Sequence, residues 1–170
     1  SPYLNDMVFF SQLVKSTTDL SKCYQEGDPT SRESSDLIDT DGGFIKLIGM
    51  SNPVGAAVIQ DALVVLASNG VWAIRGGGDE GFKATNYRVD RISNEGCTAP
   101  RSIVATENAI FFFGRNGING ISFDQYRDLK VSSVSAGKVS KLYSSIAQET
   151  NAAVIGGSVL LYTRSPKDQA

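Results

Sequence analysis

No histidine occurs among the 170 residues. That removes the most common general base, the most common metal ligand and the one side chain that ordinarily titrates near neutral pH. Cysteine is nearly absent too. Cys23 and Cys97 stand too far apart for a CxxC redox motif and are too few for a zinc site. The sequence leaves a disulfide between them undecided, and two partly buried thiols in a reducing compartment are the expectation. No apolar run approaches the ~18 residues of a membrane span. The longest, Ala62–Ala67 and Ala109–Phe113, are the length of strands. Neither sign of charge dominates: 16 Lys and Arg stand against 18 Asp and Glu, a net of −2. A generally basic nucleic-acid or anionic-membrane binder is therefore not expected. The opening residues, Ser1 to Asp6, lack a Met and a charged n-region, so no signal peptide is expected. With the tail-like Arg164–Ala170, they give the expectation of a segment cut from a longer chain.

What is present suits one packed domain or a piece of a larger one. Apolar residues make up 41% and charged residues 20%, enough for a core and unlike a disordered chain. Met7 to Val14 is aromatic and β-branched and predicts a strand. Thr17 to Tyr24 fits either a strand or one helical turn. Glu26 to Asp41 is polar, Ser-rich and acidic, which is loop chemistry, and Phe44 to Ile48 resumes as a strand.

From there the sequence becomes regular. Ala56–Ile59, Leu63–Ala67 and Val71–Ile74 are three short apolar runs, the last two joined by Ser68-Asn69-Gly70. Asn-Gly suits a tight type I′ hairpin, which needs positive φ at both central residues. The Gly-rich stretch Arg75 to Gly81 predicts a loop, and Lys83 to Ile92 an alternating fourth strand. The plan then recurs in Ile103–Ala105, Ala109–Phe113 and Ile118–Ile121, with Arg115-Asn116-Gly117 at the hairpin. Asn69 and Asn116 stand 47 residues apart. At that spacing Ala62, Leu63, Val64, Val65, Leu66, Val71 and Ile74 fall on Ala109, Ile110, Phe111, Phe112, Phe113, Ile118 and Ile121. Ala152–Ile155 and Ser158–Tyr162 look like the first two strands of a third copy, and Met7–Gln12 like the remnant of an earlier one.

A period in the high forties with about four short strands suits a β-propeller blade, a sheet that must stack on its neighbours to bury its faces. The expected fold is all-β, with propeller-like blades of four antiparallel strands forming an incomplete propeller; the alternative is a β-sandwich. The expected divisions are residues 1–50, a strand and polar loop region; 51–98 and 99–148, two blade-like repeats; and 149–170, the start of a further blade. The second strand of each unit is apolar throughout because both faces are covered. The fourth alternates because one side meets solvent or a partner.

No motif assembles a reactive site. Gly76-Gly77-Gly78-Asp79-Glu80-Gly81 is followed by Phe82 to Tyr87, which reads as a strand where a phosphate loop needs a helix N-terminus, so it is expected to be a flexible inter-strand loop. Asp39-Thr40-Asp41-Gly42-Gly43, with Asp36 nearby, falls short of the six to eight oxygens of a calcium loop and reads as an Asp-capped turn. Asp79, Glu80, Asp90 and Glu95 offer carboxylate pairs no more telling than any others. Serine and Cys97 chemistry both lack a histidine partner. Trp72 is expected as a packing or edge aromatic rather than a sugar platform. Arg75, Lys83, Arg88 and Arg91, interleaved with acids, are expected on a solvated face. No catalytic, cofactor-binding or metal-ligating residue is therefore assigned, and no cofactor is expected.

Several segments taken in order carry a resemblance. They are Asp28-Pro29-Thr30-Ser31, Asp39 to Gly43, Leu63 to Gly76, Phe82 to Tyr87, Ile92 to Cys97 and Ile110 to Ile118. Over about residues 24 to 122 the chain resembles tail proteins of short-tailed bacteriophages, chiefly the tail nozzle or tail tubular protein B type. The packaged-DNA stabilisation proteins are a related group. The resemblance implies a non-enzymatic structural virion protein, made in the host cytoplasm and placed in the tail. It would form a homo-oligomeric ring with other tail proteins around the DNA exit channel, retaining and then releasing the genome. DNA would pass without sequence-specific binding, and neither a membrane segment nor a small-molecule substrate is expected. Two other readings compete: a carbohydrate- or protein-binding propeller module using Trp72 or Tyr87, and a propeller-scaffold hydrolase using Asp79 and Glu80.

Overall fold

The computed structural model describes residues 5–28, 30, 37–78, 81–135, 150–155 and 158–163. The chain is all-β, and every strand pairing is antiparallel. Strands β1 (Met7–Phe10) and β2 (Gly43–Lys46) form a two-stranded sheet. Strands β3 (Pro53–Ile59), β4 (Ala62–Ala67), β5 (Gly70–Gly76) and β6 (Tyr87–Ser93) form the first four-stranded sheet, in sequence order. Strands β7 (Val104–Ala105), β8 (Ala109–Gly114), β9 (Gly117–Phe123) and β10 (Leu129–Ser133) form the second. Strands β11 (Thr150–Ile155) and β12 (Ser158–Thr163) make a hairpin, with β11 beside β7. Among the described residues no closed barrel forms.

Each four-stranded sheet is a meander drawn from one contiguous stretch, and no strand crosses between them. Like strands face like: β3 lies against β7, and β6 against β10. The period of 2 along each strand then decides what each face meets. Ala62, Val64, Leu66, Val71 and Ala73 point toward the second sheet and pack on Ile110, Phe112, Ile121 and Leu129. Their neighbours Val65, Ala67, Trp72 and Ile74 point the other way, onto Ile45, Leu47 and Met50 of the β1–β2 layer. The first sheet is thus covered on both faces, which is why β4 is apolar at every position. The second sheet turns the equivalent of the Val65–Trp72 face, Phe112 and Asn119, back toward the first. This is the repeating contact of a linear stack.

Several boundaries differ from the sequence reading, each for a local reason. β1 stops at Phe10 because the chain bends to pair elsewhere, with Gln12 N donating to Lys22 O at 2.9 Å and Leu13 N to Thr40 O at 3.0 Å. Thr17–Ser21 is a 3₁₀ turn, capped by Asp19 Oδ2, which accepts from the backbone amides of Lys15 and Ser16. The fourth strand begins at Tyr87 because Lys83–Asn86 is a tight turn, clamped where Gly77 N and Asn86 Nδ2 donate to Asn86 O and Gly77 O.

The two Asn-Gly hairpins occupy equivalent places, closed by Ala67↔Gly70 and Gly114↔Gly117. They are not type I′ turns. The loop residues are Ser68-Asn69 and Arg115-Asn116, and none of the four has positive φ. The glycine after each loop answers a different need. A Cβ on Gly70 would lie 2.8 Å from Ser93 O, and Gly117 has φ 141° with Ser135 Oγ 2.1 Å from where a Cβ would sit.

Candidate functional site

In a meander, alternate connections fall at the same end. The β3–β4 turn, the β5–β6 loop and the β9–β10 turn accordingly share one end of the stack. They enclose a cleft of about 520 Å³ lined by Asp61, Arg75, Gly76–Gly78, Gly81, Arg88, Phe123, Tyr126, Arg127 and Asp128.

Arg75 is its centre. Its register opposite Ala62 aims it at the second sheet, and its side chain is 16% exposed. One terminal nitrogen donates to Arg127 O at 3.0 Å, and the other to Asp90 Oδ2 at 3.3 Å, with Asp128 Oδ1 3.9 Å away. Asp90 also accepts from Arg88 Nε at 2.8 Å. The expectation of a solvated face is therefore corrected for Arg75: it clasps the two sheets together. The alternation of β6 has the same origin. Val89 goes to the β1–β2 layer, while Arg88, Asp90 and Ile92 go to the side of the second sheet.

The β9–β10 turn is built on Asp124. Its Oδ1 accepts from Tyr126 N at 2.8 Å and Asp128 N at 3.0 Å, and its Oδ2 meets Lys130 Nζ at 2.6 Å. Lys130 and these amides hold the Asp124 carboxyl below the usual carboxylate range. The turn sets Arg127 in the left-handed region at φ 62°. It also leaves Tyr126 74% exposed.

No protein-family model and no curated protein matches the sequence. The site is accordingly read from its own chemistry.

The other sequence candidates fall elsewhere. Trp72 is 2% exposed, with the Arg91 guanidinium 4.9 Å above its ring, so it offers no surface platform. Tyr87 stacks on Phe82, which packs edge-on against Phe10. Asp41 is buried and bonded to the amides of Glu26 and Ile38, so its carboxylate holds the loop. Asp39 is engaged by Thr85 and Lys83, which lower its pKa. Glu95 accepts from Asn116 N. Asp36, Asp79 and Glu80 lie outside the described residues. Cys23 is half-buried and Cys97 buried; both are free, and burial pushes the Cys97 thiol up. Among the described residues no His, Cys, Asp and Glu cluster suits a metal ion, and no helix is long and apolar enough to cross a membrane.

The sequence reading missed Asp61, Tyr126, Arg127 and Asp128. For Tyr126, Arg127 and Asp128 the signal was Asp124, a side chain placed to turn back onto its own backbone two residues on, whereas Asp61 carried none.

Proposed function

We propose that the chain is a structural module of a bacteriophage tail. It contributes stacked β-sheet blades to a homo-oligomeric ring around the DNA exit channel, where it retains and then releases the genome. The module works through its interfaces and carries out no chemistry. The resemblance of the ordered segments to tail nozzle proteins supports this reading.

The observation that carries the reading is the uncovered apolar end of the stack. The inner face of the β1–β2 sheet packs on the first four-stranded sheet, but its outer face presents Phe9 and Phe44, both half-exposed, with ring centroids 6.2 Å apart. Ile48, just beyond β2, is 82% exposed. A two-stranded sheet is marginal by itself, and adjacent exposed aromatics mark a surface that gains from being covered. A neighbouring subunit in a ring supplies that cover. The net charge of −2 suits a passage that must not hold DNA tightly.

The test is mass photometry and negative-stain imaging of the natural gene product. A closed ring is expected, weakened by Phe9→Lys with Phe44→Lys. A stable monomer under mild conditions overturns the reading.

A further inference from the structure

The cleft between the two sheets has a second property that the clasp does not use. Its guanidinium groups are unequally committed. Arg75 is spent on Asp90 and the Arg127 carbonyl. Arg88 touches Asp90 through Nε, and its side chain is 64% exposed. Arg127 has one carboxylate partner, Asp61, at 3.9 Å, in a pair exposed by 76% and 59%. An exposed pair at that distance contributes little and is readily exchanged for a better-placed carboxylate. Beside these two arginines stands Tyr126, exposed, with its backbone amide fixed by Asp124. Gly78 and Gly81 line the cleft without side chains and have open space where a Cβ would stand.

We propose that this cleft binds a short acidic saccharide. One sugar face lies on Tyr126, the sugar carboxylate meets Arg88 and Arg127, and hydroxyls donate to Asp61 and Asp128. An aromatic ring with an apolar face and a polar tip suits the C–H face of a sugar. Arginine's planar fork suits a carboxylate, which it grips with two parallel bonds. The same lining argues against a nucleic-acid strand. Among the described residues two aspartates line the space, so successive phosphates would meet negative charge there, and the whole chain is net negative. The proposal does not depend on ring assembly, because Tyr126, Arg88, Arg127, Asp61 and Asp128 all belong to one chain.

The experiment is titration of the protein, followed by NMR, with oligosaccharides containing glucuronate, galacturonate or sialic acid. Neutral oligosaccharides of equal length and a short oligothymidylate serve as comparisons. At least one acidic saccharide is expected to bind with a millimolar constant, about tenfold more tightly than its neutral counterpart. Tyr126→Ala and Arg127→Gln are each expected to weaken it about tenfold while leaving the unfolding midpoint in place, since both side chains are exposed. Absence of binding by every acidic member overturns the proposal, as does binding that both variants leave unchanged. Preference for the oligothymidylate overturns it in favour of a nucleic-acid site.

Discussion

Gly96 shows how a single residue fixes the path between the sheets. It sits in the linker from β6 to β7, where Cys97 N donates to Ala67 O at 2.9 Å and pins the linker onto the first hairpin. A Cβ at position 96 would stand 2.3 Å from the carbonyl oxygens of Ala67 and Ser68. Backbone atoms cannot yield as the tip of a side chain does, so the linker itself has to move. Gly96→Ala is therefore expected to destabilise the protein by about 2–3 kcal/mol, the scale of overpacking in a rigid site. Urea unfolding measures it; a midpoint equal to that of the parent refutes the close approach. Asn119 gives a contrasting case. It occupies the position that Trp72 holds in the first sheet, 3% exposed, and its Nδ2 has no partner. The repeat copies a backbone more faithfully than it copies side chains.

The turns and the clasp belong to the scale of the element. Asp124 bonds two amides of its own turn and one lysine, and its pKa is lowered. A depressed folded value means that the carboxylate's contribution is fully present above the ordinary value of 3.8 and fades as pH falls below it, through the folded value. The β9–β10 turn should thus loosen in acid before the strands do. In NMR spectra the amides of Tyr126 and Asp128 are expected to shift together below pH 3.8. Asp124→Asn removes that titration, and amides that stay fixed in the parent would refute the role. The clasp is tested by Arg75→Gln, which gives up a charged hydrogen bond to Asp90 and another to Arg127 O. The expected loss is about 1–3 kcal/mol. Asp128→Asn, at a carboxylate 63% exposed and 3.9 Å away, should cost no more than about 0.5 kcal/mol. Equal losses in the two variants would show that the clasp does not depend on Asp90.

Element by element, legibility in the sequence followed burial. The runs Ala62–Ala67 and Ala109–Phe113 announced β4 and β8 because most of their positions are buried and call for no polar side chain. The spacing of 47 survived because both hairpins close with loops of equal length. The Asn-Gly pairs located the turns but misled on their type, since the glycine is chosen by crowding and φ one residue beyond the loop. The cleft was hidden. Asp61 lies in the β3–β4 turn, Arg75 near the end of β5 and Tyr126 in the β9–β10 turn, and only the stacking of one sheet on the other brings the three together. No period or local motif carries that information. Arg75 in particular looked like one more surface charge until its register opposite Ala62 placed it between the sheets.

At the scale of the whole molecule, the layers form a chain of nearest neighbours, and stability should be distributed accordingly. The first four-stranded sheet is bounded by the β1–β2 layer on one face and the second sheet on the other. The β1–β2 layer has one covered face and two strands. In such a stack each interface adds its own term, and an end layer opens without the rest. Amide exchange is therefore expected to be slowest in β4 and β5 and clearly faster in β1 and β2. Phe112, 1% exposed between the sheets, anchors the central interface. Phe112→Ala should cost about 3–5 kcal/mol, through lost burial and the cavity left behind. It should raise exchange in both four-stranded sheets at once, because neither keeps its shelter without the other. Phe44→Ala, on the outer face, should leave exchange in β4 and β5 unchanged and lower stability by no more than about 0.5 kcal/mol. If Phe112→Ala loosened the second sheet alone, the two sheets would be independent folding units, and the stack would be a juxtaposition rather than a shared core.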